Sequence, residues 1–208
     1  MLLFDMDGTL IDSNGIWKEV DTEFLARRGL PYTQEYYEGV AHTIFPLAAK
    51  FTKEFCRLPE SEEEIMAEWM DLAGDIYATN VVEKPGVRAF LEKMKAQGER
   101  MAVVTSAVPV HCRAALGHLA LLPYFERVFF AQELGTEKKF PALWEKVAAE
   151  LGVSPAECTL FDDSVEAIRG AKAAGMHTVG VADAYFASSA GDMRKTCGRY
   201  IGSFEELL

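Results

Sequence analysis

The chain has few cysteines, and none of the four stands in a C-x-x-C pair: Cys56, Cys112, Cys158 and Cys197 are scattered through 208 residues. That argues against a disulfide framework or a cysteine-built zinc site. Cys158 sits in the apolar run Cys158-Thr159-Leu160-Phe161 and is expected in the core. Long apolar runs are also missing. No window reaches the ~18 consecutive apolar residues of a membrane helix, and no basic-then-apolar leader opens the sequence. The expectation is a reduced, cytoplasmic protein with no membrane partner. Positive charge is scarce, with 21 Lys and Arg against 32 Asp and Glu and a net charge of −11. Such a balance argues against nucleic acid as a main partner. An acidic protein that handles an anion needs local positive charge or a bound cation. No internal repeat or low-complexity tract is evident.

What is present is an alternation. Short continuous apolar runs recur at "LLFD" (2–5), "MAVVTS" (101–106), "RVFFA" (127–131), "TLFDD" (159–163) and "HTVGV" (177–181). Continuous rather than alternating runs of strand length fit a parallel sheet covered on both faces. Helical patterns lie between them. Val87, Phe90, Leu91 and Met94 share one face before Gly98, and Leu143, Val147 and Leu151 share another before Gly152. Strands alternating with helices predict an α/β fold with a parallel sheet.

The interval 15–83 breaks the rhythm and reads as helical throughout. Asn14 is placed to cap a helix carrying Ile16, Trp17, Val20, Phe24 and Leu25. Ser61 and Glu64 have capping-box spacing before Ile65, Trp69, Leu72 and Ile76. The expected division is a core of residues 1–14 and 84–208 with a helical insertion at 15–83. Its joints fall near Ser13-Asn14 and Glu83-Lys84-Pro85.

The opening "MLLFDMDGTLIDSNG" places Asp5 and Asp7 inside an apolar run. Residues i and i+2 of a strand point to one side, so both acids could face one crevice at the strand's end. Gly8 permits the sharp exit. Two carboxylates this close need a proton or a cation between them; the plainer reading of Asp-Gly is a turn. A second run ends in Asp162-Asp163, and the carboxyl ends of parallel strands share one edge. Two acidic strand ends there would make a hard-oxygen site suited to Mg2+, while helix capping would also explain Asp-Asp-Ser. Thr105-Ser106 ends a strand before a helix and could hold an anion, or Ser106 could simply cap. Lys138 or Lys139 could hold an anion or be solvated.

Taken together, D-M-D-G-T-L, then T-S after a strand, then a lysine three residues before Pro141, then D-D-S, resemble the haloacid dehalogenase superfamily. The four motifs stand in family order over essentially the whole chain. The similarity is greatest to the β-phosphoglucomutase and phosphoglycolate phosphatase group. It implies a Rossmann-like, doubly wound parallel-sheet core with an inserted all-helical cap. It also implies a Mg2+-dependent phosphoric monoester hydrolase acting on a small phosphorylated metabolite, as a monomer or weak dimer.

By that resemblance Asp5 is the nucleophile and forms an aspartyl-phosphate. Asp7 supplies a metal ligand from its main-chain carbonyl and acts as general acid and base through its side chain. Asp5 and Asp163 ligate the metal by side chain; Asp162 is another ligand or acts through water. Thr105, the Ser106 N–H and Lys138 hold the phosphate oxygens, Lys138 being preferred to Lys139 by its K-x-x-P spacing. The dehalogenases themselves lack the second aspartate of the first motif and the metal, so their reaction is not expected. The alternatives are a sugar phosphomutase and a non-enzymatic phospho-aspartate module. The cap is expected to select substrate, with Trp17, His42, Lys50, Lys53 and Arg57 within reach in principle. Trp17 reads as packing and the three cations as a solvated face. His42 falls where the mutases carry an arginine, and Ala73-Gly74 where they carry a lysine, which favours hydrolysis over phosphate return. A structural role for His42, such as a cap hydrogen bond, is the other reading.

Overall fold

The computed structural model describes residues 1–40 and 45–208; the roles expected of His42 lie outside them. The chain opens with β1 (Leu2–Phe4) and β2 (Ile11–Asp12), then runs through α1 (Ile16–Ala26), α2 (Gln34–Val40), α3 (Phe45–Cys56) and α4 (Glu62–Thr79). β3 (Val82–Glu83), α5 (Val87–Ala96), β4 (Met101–Thr105), α6 (Pro109–His118) and β5 (Arg127–Phe130) follow. The rest is α7 (Ala131–Leu134), α8 (Pro141–Leu151), β6 (Thr159–Asp162), α9 (Val165–Ala173), β7 (His177–Val181), α10 (Ala190–Thr196) and β8 (Arg199–Ile201).

Six strands form one sheet in the order β5-β4-β1-β6-β7-β8, and every neighbouring pair is parallel. The α/β, doubly wound architecture is therefore as expected. β1 lies between β4 and β6, so the chain leaves it in both directions. In open α/β sheets the crevice beyond the strand ends at such a reversal is where ligands bind.

Successive strand residues point to opposite faces, so Leu3 and Phe4 serve different layers. On one face Leu3, Val104 and Leu160 pack with Leu143, Trp144, Val147 and Ile168 of α8 and α9. On the other, the rings of Phe4 and Phe161 stack at 4.9 Å and Phe90 meets Phe204 at 5.3 Å. Truncating a buried ring such as Phe4 to alanine would cost about 3–5 kcal/mol. Cys158 is buried in the first layer, as its apolar run predicts.

Among the elements outside the sequence reading are β8, three residues long, the antiparallel ribbon of β2 with β3, and the short helices α7 and α10. Runs this short carry no legible period. The ribbon bears on the division of the chain. Ile11 pairs with Glu83 and Asp12 with Val82, and the two compact units are Met1–Asn14 with Val81–Leu208, and Gly15–Asn80. Residues 81–83, assigned from sequence to the helical segment, thus belong to the first unit, and Val82 and Glu83 pair within it.

Within the helical unit, α1 buries Ile16, Val20, Phe24 and Leu25 at helical spacing. Trp17 is 42% exposed, with its ring edge-on to Phe45 at 5.4 Å. Ser61 and Glu64 form the capping box, at 3.1 and 2.7 Å, that starts α4. That helix buries Ile65, Trp69, Leu72, Ala73 and Tyr77. Lys53 donates to the Glu60 carbonyl at 2.5 Å, while Lys50 and Arg57 are exposed. Among the described residues no helix is long and apolar enough to cross a membrane.

Candidate active site

The site is built where the sheet ends. Asp5 follows β1, and its N–H donates to the Phe161 carbonyl at 2.9 Å, so the ladder holds the residue in place. Its side chain is buried. The chain then folds back on itself: the Met6 carbonyl accepts from Leu10 N at 2.9 Å and from Ile11 N at 3.1 Å. Gly8 makes this possible twice over. Its φ is +73°, and a Cβ there would lie 2.1 Å from Asp163 Oδ2 and 2.2 Å from Asn14 Nδ2. Asp7 Oδ1 accepts from Ser13 Oγ at 2.6 Å.

β6 delivers the second acidic pair. Asp162 Oδ1 accepts from Ser164 N at 2.8 Å, and its Oδ2 accepts from Lys138 Nζ at 3.0 Å. Asp163 Oδ2 accepts from Asn14 Nδ2 at 2.9 Å. Ser164 also caps α9 through its side chain, so capping and clustering coexist in Asp-Asp-Ser. β4 delivers Thr105, whose Oγ1 accepts from Ala107 N at 2.9 Å and so keeps its own proton for another partner. Ser106 is exposed, and the cap of α6 is Val108, without a side-chain bond. The capping alternative for Ser106 is not realised.

Lys138 bonds Asp5 Oδ1 as well as Asp162. Lys139 instead pairs with Glu137 at 3.0 Å and is exposed. The Lys138 carbonyl accepts from Trp144 Nε1 at 2.7 Å. Gly170 of α9 lies close beneath it, since a Cβ there would come within 2.2 Å of that oxygen. All of the expected residues, Asp5, Asp7, Thr105, Ser106, Lys138, Asp162 and Asp163, line one cleft of about 890 Å3.

The sequence reading missed three of its supports. Asn14 is expected as a helix cap; the structure corrects this, because α1 begins after Gly15 without a side-chain cap and the amide turns to Asp163. A polar residue before a helix ordinarily caps it, and its partner here lies 149 residues away. Trp144 carries a legible signal, since a buried indole N–H needs an acceptor. Gly170 carries none.

Burial, reinforced by Asp162, Asp163 and Asp7, raises the Asp5 carboxyl well above its ordinary range although Lys138 opposes the rise. Burial and the charge of Asp162 push Asp163 up to about 7. Burial would lower Lys138, but Asp162 and Asp5 more than offset it and the ammonium is held above its usual range. Among the described residues, Asp5, Asp162 and Asp163 bring carboxylate oxygens within 4.8 Å of one another; Asp7 is not in that group. Three hard-oxygen donors facing one bonded ammonium fit a small divalent cation such as Mg2+.

Residues 2–181 match the model of the haloacid dehalogenase-like hydrolases. Over 178 residues the chain is 25% identical to a phosphorylated carbohydrates phosphatase of Thermotoga maritima, covering 86% of this chain and 82% of that one. It is 28% identical to the fructose-1-phosphate phosphatase YqaB of Escherichia coli over 189 residues, covering 86% and 95%. A Thermotoga maritima crystal structure assigned as a β-phosphoglucomutase superposes with a TM-score of 0.88 at 24% identity, over 100% of this chain and 95% of that one. Motifs, sheet order and family match agree: the chain belongs to the haloacid dehalogenase-like hydrolase family.

Proposed function

We propose that this enzyme is a Mg2+-dependent phosphatase that hydrolyses a small phosphorylated carbohydrate through an aspartyl-phosphate on Asp5. The observation that carries the reading is the convergence of Asp5, Asp162, Asp163 and Lys138 at the strand ends, with Asp7 and Thr105 lining the same cleft. An Asp5 oxygen attacks phosphorus as the bond to the leaving oxygen breaks. Asp7, oriented by Ser13, gives that oxygen its proton. Asp7 then takes a proton from water, which attacks the phosphoryl group and returns Asp5 to a carboxylate with release of inorganic phosphate. Lys138, the Thr105 hydroxyl and the Ser106 N–H hold the non-bridging oxygens. Asp5, Asp163 and the Asp7 main-chain carbonyl would hold Mg2+, with Asp162 beside them. When bound, the ion supplies the charge neutralisation that a carboxylate needs to approach a phosphate dianion. The phosphorylated-carbohydrate class is supported by the named activities of the two curated relatives, and the four free cysteines support a reducing, cytoplasmic setting.

The test is phosphate release from a panel of phosphorylated sugars and sugar alcohols, with Mg2+ and with EDTA. Release is expected with Mg2+ alone, and Ca2+ should fail to restore it because its larger, looser shell misplaces the reacting atoms. Full release in EDTA would remove the metal from the mechanism. Conversion of β-glucose-1-phosphate to glucose-6-phosphate with little free phosphate, given a trace of bisphosphate, would replace hydrolysis by mutase chemistry.

A further inference from the structure

Three polar side chains outside the assigned machinery are joined in one line that ends on Asp163. Asn14 Nδ2 donates to Asp163 Oδ2 at 2.9 Å, and its amide faces Asp183, whose carboxyl is held below its ordinary range, against burial, by Lys84 and then Asn14. Asp183 Oδ2 accepts from Lys84 Nζ at 2.7 Å, and its Oδ1 accepts from Tyr185 N at 2.8 Å. Lys84 Nζ donates further to the Ala182 carbonyl at 2.8 Å, and its main-chain N–H to the Leu10 carbonyl at 3.0 Å. The side chains of Lys84 and Asp183 are 12% and 4% exposed. This is not the loose surface pairing that contributes little.

The placement gives the line a purpose. Asn14 ends the passage after β2, Lys84 begins the passage after β3, and Asp183 follows β7. Carboxylates only accept, so the bond to Asp163 turns the Asn14 NH2 group toward it. Lys84 neutralises Asp183, which would otherwise add another carboxylate charge beside Asp163. The missing side chain of Gly8 leaves the space in which Asn14 and Asp163 meet. A neutral donor suits this position: it fixes Asp163 without adding a positive charge that would oppose a cation.

We infer that Asn14, Asp183 and Lys84 form a positioning network that fixes the Asp163 carboxylate for metal binding. This rests on the metal reading of the site proposed above. Partners that orient a metal ligand typically contribute about 10–100-fold to metal affinity or activity.

The experiment is calorimetric titration of the whole protein with MgCl2, without substrate, for wild type, Asn14→Ala, Asp183→Asn and the double variant. Thermal melts in EDTA check the fold, and Asp183→Asn preserves side-chain size should Asn14→Ala fail to fold. Each single variant should weaken Mg2+ binding by at least ~10-fold. The double variant should bind about as the weaker single does, because the residues act in series. Turnover should recover at saturating Mg2+ with KM for the phosphorylated substrate unchanged. Folded variants that bind Mg2+ as wild type does, or losses that simply add, would overturn the network. A wild type that binds no Mg2+ would overturn the metal reading and the network together, so the two failures are distinguishable.

Discussion

The polar cluster at the strand ends and the one in the helical unit use the same residue types to opposite ends. In the helical unit Arg28 sends Nη2 to Glu60 at 2.8 Å and to Glu68 at 2.6 Å, with its guanidinium over the Phe24 ring at 3.8 Å. Arg27 adds a second contact to Glu68 at 3.7 Å. Its own backbone hydrogen bond and the Arg28 fork hold the Glu60 carboxyl below its ordinary range. At the strand ends three carboxylates meet one bonded ammonium, and Asp5 and Asp163 move the other way. A balanced cluster closes on itself and fastens two helices. At the strand ends burial and neighbouring carboxylates gather negative charge around one ammonium, a setting that a bound cation would balance.

The largest effect that would sharpen this contrast is loss of the nucleophile. Asp5→Asn should lower turnover by at least ~10³-fold, because an amide is a poor nucleophile. Steady-state phosphate release checks this, and activity within about tenfold of wild type would break the assignment of Asp5. Next comes the pair of adjacent lysines. Lys138→Ala should cost ~10²-fold or more in turnover, since a preorganised cation beside the transferring group is lost. Lys139→Ala, an exposed pair with Glu137, should change it by less than about twofold. The reverse order would place the functional ammonium one residue later.

On the helical side the expected effects are on stability. Arg28→Ala should lower unfolding free energy by about 1.5–3 kcal/mol, as for hydrogen bonds to charged groups, measured by urea denaturation. The smallest effect concerns Asp21, which accepts from the Tyr36 hydroxyl at 3.2 Å. Burial pushes its carboxyl up to about 6 despite that bond, against roughly 3.9 in an unfolded chain. A raised pKa means the folded state holds the proton more tightly. The stabilisation is complete below about pH 4 and lost as pH rises through about 6. Asp21→Asn should therefore raise the melting temperature relative to wild type at pH 8 and leave it nearly unchanged at pH 4. Equal shifts at both pH values would show that Asp21 does not titrate in this way.

Much of the cleft was legible because each strand that builds it ends an apolar run on a functional type: Asp5, Thr105 and Asp162. Continuous runs, ordered motifs and intervening helices also fixed the parallel sheet in advance. What escaped was set by contacts across long separations. Asn14 resembles a cap until β1 and β6 are neighbours. Lys84 and Asp183 resemble ordinary surface charges until β2, β3 and β7 are assembled. The ribbon and β8 are too short to show a period, and the ribbon lies just outside the bounds of the helical unit.

Gly170 gives the site a genetic vulnerability that no charge pattern announces. Its missing side chain lets α9 lie against the backbone that carries Lys138, where a single methyl group would come 2.2 Å from the lysine's carbonyl oxygen. A random-mutagenesis selection for inactive clones should recover Gly170→Ala among the acidic and basic replacements. That allele would encode every group of the proposed machinery intact and still shift the backbone that carries the Lys138 ammonium.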